Sequence, residues 1–138
     1  MGLPHVNYWA VLVSGVAIFI LGGLWYSPAL FAKKWVKLTG KSEAEMKAGS
    51  GSMPVQFLMA FLCGLVSAFA LAVILHHFND VTVLRGAFVG VICWVGFAGA
   101  PSYANAIFSQ KPFALWLIDS GFNLVSFVIA GIILAVWK

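Results

Sequence analysis

The sequence predicts an all-α integral membrane bundle of four transmembrane helices. Apolar residues fill 62% of the 138 positions and charged residues only 9%, and the apolar ones gather in four long runs joined by polar connections. A soluble domain reaches about 45–50% apolar even with glycine counted, and a water-soluble fold of this length could not hide the excess. Lipid is the consistent solvent. There, backbone groups must pair inside helices or closed barrels, and these runs lack the alternation of barrel strands.

The first run spans residues 8–31, the second 54–78, the third 81–108 and the fourth 112–137, within a single membrane domain. Each exceeds the roughly 20 residues that cross about 30 Å of hydrocarbon. No lysine or arginine precedes the first run, which is longer than the apolar core of a signal peptide, and Lys33-Lys34 follow it as a stop-transfer flank. It is expected to remain in the mature protein. Pro54 and Pro112 fall where a first-turn proline is tolerated, and Asn79-Asp80 supplies a turn and cap for the third helix. The loop 32–53 is the only sizeable extramembrane segment. Its Lys33, Trp35 and Lys37 are expected to prolong the first helix until Gly40 ends it; Ser42 and Glu45 match a capping box, and Gly49 to Ser52 form a flexible joint.

The net charge of +4 does not point to nucleic acid, because the lysines are neither spread over a soluble face nor interleaved with stacking aromatics. Lys33, Lys34, Lys37, Lys41 and Lys47 share one loop and Lys111 lies in the loop on the same side; only Arg85 and Lys138 oppose them. By the positive-inside rule the lysine-rich loops face the cytoplasm of the cell (inner) membrane and both termini lie outside. Tyr8, Trp9 and Trp137 on one side, with Trp35 and Trp116 nearer the other, fit interfacial belts. Cys63 and Cys93 fall inside apolar runs and read as small buried residues, not a disulfide framework.

Asp119 is the residue that most needs explaining, since it lies seven positions past Pro112, about 10 Å into the fourth helix. An acid at a helix centre costs about 2.5–3.5 kcal/mol on insertion scales, so it should face protein or water. Asn123 and Ser126 share its face. On the third helix Ser102, Asn105 and Ser109 recur at helical spacing behind Pro101, which frees the carbonyl of Phe97 and, with Gly96 and Gly99, predicts a kink or hinge. Tyr26, counted back from Lys33, lies about as deep as Asp119. Tyr26, Ser102, Asn105, Asp119 and Asn123 are therefore the candidate polar, ion or solute site, with Tyr26, Asn105 and Asp119 expected in one layer. Catalysis is not expected, because one carboxylate stands without a carboxylate pair, HExxH or CxxC, and no cofactor is implied. His76 and His77 are weak metal candidates: neighbours on a helix point about 100° apart and chelate one ion poorly.

Small residues recur every fourth position in Ala60, Gly64, Ala68 and Ala72, in Gly86 and Gly90, and in Gly131 and Ala135. Such stripes let helices approach closely, within the bundle or across a homodimer interface.

The run Leu21-Gly22-Gly23-Leu24-Trp25-Tyr26-Ser27-Pro28, followed by Phe31, Lys34-Trp35 and Leu38-Thr39-Gly40, resembles the first-helix motif of the membrane-protein family catalogued as domain of unknown function 1761. A looser likeness covers Leu115 to Asn123. The resemblance implies four helices and no known activity. Two functions then compete on the residues alone. One is permeation or proton-coupled transport of a small solute through an oligomeric bundle, with Asp119 as the titrating group. The other is a non-catalytic accessory or structural role, in which the helices bind another membrane protein and the lysine loop binds partners or anionic lipid.

Overall fold

The computed structural model describes residues 5–40 and 53–137. Five helices follow in order: α1 (Tyr8–Trp25), α2 (Ala32–Thr39), α3 (Met53–His76), α4 (Val83–Phe108) and α5 (Phe113–Val136). Four of them, all but α2, are long and apolar enough to cross a membrane. The capping box of Ser42 and Glu45, the joint at Gly49 to Ser52, and Lys41, Lys47 and Lys138 lie outside the described residues.

Helix α1 packs against α3 and α5, and α5 also packs against α4. The core between them is built from small and medium residues, among them Ala10, Ala68, Leu71, Ala72, Leu75, Ala130 and Leu134. Large apolar side chains such as Leu84 and Phe97 point outward. In lipid that arrangement is stable, because tails are as apolar as leucine and helices associate by close packing instead. The closest approach joins α4 to α5. A Cβ added at Gly86 would strike the backbone of Gly131, and one at Gly90 the backbone of Phe127. Two of the small-residue stripes thus do their work inside one chain.

Three boundaries differ from the sequence expectation. The first helix stops at Trp25, not Phe31, and α2 is a separate helix, not its extension. Pro28 is the cause: inside a continuous helix it would offer no amide to the carbonyl of Leu24. Ser27 instead claims that carbonyl with its amide at 3.2 Å and its hydroxyl at 2.6 Å. Trp35 then donates its amide to Phe31 at 2.8 Å, starting α2, and Gly40 ends α2 with φ of +73°. At the other end of the bundle the cap of α4 is Thr82, not Asn79-Asp80; its hydroxyl accepts from the Arg85 amide at 3.1 Å. Arg85 reaches back to the Asp80 carbonyl at 2.9 Å. Third, α3 ends at His76, two residues before the expected Phe78.

Before Pro101 the helix widens. Trp94–Gly99 is wound as a π-helix, with the Ala100 amide bonded to the Val95 carbonyl. The irregularity expected at Pro101 thus takes the form of an extra residue in the preceding turn. Helix α4 closes through Gln110, at φ of +58°, with the Gln110 and Lys111 amides bonded to the Ile107 and Ala106 carbonyls at 3.2 and 3.0 Å. That is a Schellman turn with glutamine where glycine is usual. Asn7 caps α1, accepting from the Trp9 and Ala10 amides, and donates to the Trp137 carbonyl at 3.4 Å. Asn7 and Trp137 therefore lie at one end of the bundle, and α2 with Lys111 at the other.

Candidate functional site

The break at Ser27-Pro28 turns α2 back onto α5, and three elements meet at Asp119. Its Oδ1 accepts from the Tyr26 hydroxyl at 2.6 Å and from the Trp35 indole nitrogen at 3.0 Å. Both donors are neutral. The Tyr26 ring stands edge-on to Trp35 and to Phe122, at 5.9 and 5.7 Å between centroids. Trp25 adds a third hydrogen bond, donating its indole nitrogen to the Ile118 carbonyl at 2.9 Å. Its ring lies over Gly121, where a Cβ would come within 3.2 Å of the indole.

A second polar group joins α4 to α5 around Ser102. The Trp116 indole donates to Ser102 Oγ at 3.0 Å, the Ser102 and Ser120 hydroxyls lie 3.1 Å apart, and Ser102 Oγ lies 3.0 Å from the Gly99 carbonyl. One proton assignment satisfies all three: Ser102 donates to Gly99 and accepts from Trp116 and Ser120. Trp94 donates to the Ser120 carbonyl at 2.9 Å, which fixes the π-helical turn against α5. Among the described residues the one buried side-chain polar atom without a partner is Ser14 Oγ on α1.

Between α1, α3 and α5 lies a cleft of about 590 Å³. It runs from Ile18, Ser67 and Ser126 at mid-bundle to Phe57 and Tyr26 near the α2 end, and Gly22, Gly23, Cys63 and Asn123 also line it. Asp119 does not line it. Tyr26 is the link, with its ring on the cleft and its hydroxyl on Asp119.

A family model described as "Protein of unknown function (DUF1761)" matches residues 9–135. The chain belongs to the DUF1761 family. No curated protein and no solved structure matches it.

In this DUF1761 chain the residues proposed from sequence do not form one layer. Tyr26 and Asp119 meet directly. Asn123 turns into the cleft, whereas Ser126 bonds back to the Phe122 carbonyl at 2.8 Å. Ser102 belongs to the separate cluster with Trp116. Asn105 is exposed, one position before buried Ala106, so it joins neither group. The expected layer of Tyr26, Asn105 and Asp119 is corrected to Tyr26, Trp35 and Asp119. Trp35 takes the place expected of Asn105: helical counting puts it on a straight extension of α1 as an interfacial anchor, and the proline break carries it to α5 instead. His76 and His77 sit exposed at the end of α3, their rings 5.9 Å apart and edge-on. The described residues hold no group of three or more His, Cys, Asp or Glu able to share a metal ion.

Proposed function

We propose that this DUF1761 protein takes a small, largely apolar solute into the cleft between α1, α3 and α5 and passes it through the membrane. The cleft itself carries the reading: about 590 Å³ falls in the range of about 300–1,000 Å³ usual for small-molecule sites, which are apolar with a few placed polar groups. Tyr26 spends its proton on Asp119, and the Asn123 amide brings donors and an acceptor to the cleft. A solute with one polar end and an apolar body matches that lining. Asp119 stands one hydrogen bond behind that lining, reached through Tyr26. The lysine end is placed in the cytoplasm, with both termini outside, by the positive-inside rule.

Purified protein in liposomes, assayed with a panel of small neutral and weakly acidic solutes, tests this. Permeation above protein-free liposomes is expected, and Gly23→Phe should close it, because Gly23 lines the cleft and a Cβ there meets nothing within 4 Å, so the ring has room to enter the cleft. Asp119→Asn separates proton coupling from simple passage. Permeation equal to protein-free liposomes overturns the reading, and a stoichiometric copurifying membrane protein would then favour the accessory role.

A further inference from the structure

We infer that α2 is a docking surface for the headgroups of anionic phospholipids, held at the interface by Asp119. The helix is short and two-faced. Lys33, Lys34 and Lys37 are exposed, while Ala32, Trp35, Val36 and Thr39 are partly buried. At 3.6 residues per turn the three lysines share an arc of about 100°, with Trp35 on the opposite side. That is the pattern of a helix lying in the headgroup plane.

Two observations place it there. The Ser27–Leu24 bonds end the membrane-spanning part of α1 at Trp25, so α2 leaves the span axis and packs on α5. The Trp35 indole then pins its inner face to Asp119 at 3.0 Å, about 10 Å along α5 from Pro112. The lysines are left facing outward. The described acids are Asp80, at the far end of the bundle, and Asp119, whose Oδ1 is taken from the inner side. Among the described residues no carboxylate neutralises the lysine face, which leaves it facing outward as a cluster of positive charge. The phosphate of an anionic lipid sits at that depth, whereas soluble polyanions meet α2 only from the water side.

The inference does not depend on solute passage, and its test does not measure passage. Protein purified from a membrane extract, or exchanged into nanodiscs of equal phosphatidylglycerol and phosphatidylcholine, is analysed for the lipids it retains. Lysines near an anionic surface contribute about fivefold each in partitioning, so a several-fold excess of phosphatidylglycerol is expected. The excess should shrink at high salt, because exposed charges are screened. Lys33→Gln/Lys34→Gln/Lys37→Gln should abolish it, the matching triple Arg variant should keep it, and Lys111→Gln, outside α2, should leave it unchanged. Should the triple Gln variant not fold, the single Lys34→Gln variant reads the same effect as a partial loss. Equal retention of the two lipids by the wild type overturns the inference, as does an excess that survives the Gln substitutions.

Discussion

Tyr26 and Asp119 lie 93 positions apart in sequence, and the hydroxyl of one meets the carboxylate of the other at 2.6 Å. The bond joins the end of the first span to the early part of the last, and Trp35 completes it from α2 at 3.0 Å. An acid carried into a membrane helix at a cost of a few kcal/mol is here the point on which three helices are fixed. Its structural use and its place beside the cleft are compatible, since Tyr26 takes part in both.

Removing the indole donor should loosen α2 and leave the spans intact. Trp35→Phe keeps the ring against Tyr26 but deletes the bond to Asp119. Hydrogen bonds between membrane helices average about 0.6 kcal/mol and reach about 1.7, so global stability should fall by about 1 kcal/mol. Local opening should rise more visibly, because weakly held segments open first. Limited trypsin digestion should cut faster at Lys33, Lys34 and Lys37 in the variant. Unchanged cleavage would mean that the bond to Asp119 does not hold α2.

Asp119 should tolerate asparagine and reject leucine. Asparagine keeps an oxygen where Oδ1 accepts both donors, so Asp119→Asn should unfold within about 1 kcal/mol of the wild type. Leucine leaves the Tyr26 hydroxyl and the Trp35 indole without their acceptor, at about 1–3 kcal/mol for each donor that stays buried. Thermal unfolding in detergent should therefore rank wild type and Asp119→Asn together, with Asp119→Leu well below. An Asn variant as unstable as the Leu variant would show that the negative charge, not the acceptor, holds the cluster.

The four spans were legible in the sequence because each signal was local: run length, flanking lysines, proline at an entrance. The depth of Tyr26 and of Asp119 could also be counted along their helices. Asn105 went astray because depth does not fix azimuth; it lies three positions from Ser102, yet it is exposed where Ser102 is bonded inward. Trp35 was out of reach for a different reason. Its contact with Asp119 depends on how the chain turns between Trp25 and Ala32, where Ser27 and Pro28 redirect it, and helical counting assumes no turn. Thr, Asn and Asp all cap well, so residue type does not choose between Asn79-Asp80 and Thr82; the Arg85 amide bonded to the Thr82 hydroxyl does.

The glycines of the bundle should divide sharply on substitution. At Gly131 a Cβ would run into the carbonyl of Gly86, which is backbone and cannot rotate away. Gly131→Ala must push α4 from α5, and overpacking of this kind costs about 1–3 kcal/mol. Gly23→Ala meets nothing within 4 Å and gains helix propensity of up to about 1 kcal/mol. Thermal unfolding of the two variants beside the wild type should move in opposite directions. Equal destabilisation of both would remove the close α4–α5 contact as the reason for these residues.

The two cysteines offer a direct test of whether water enters the cleft. Cys63 lines it and is exposed, whereas Cys93 is buried between α4 and α5. Thiols react as thiolates, and a thiol facing only hydrocarbon ionises too rarely to react quickly. A small methanethiosulfonate reagent should therefore label Cys63 in liposomes and spare Cys93, as read by mass spectrometry of the intact protein and of its Cys63→Ser variant. Gly23→Phe, placed across the same cleft, should slow the labelling by about tenfold or more, the factor that corresponds to about 1.4 kcal/mol of added barrier. If Cys63 stays unmodified while a denatured sample labels fully, the cleft holds lipid and not water, and no water-open route for the solute runs through it.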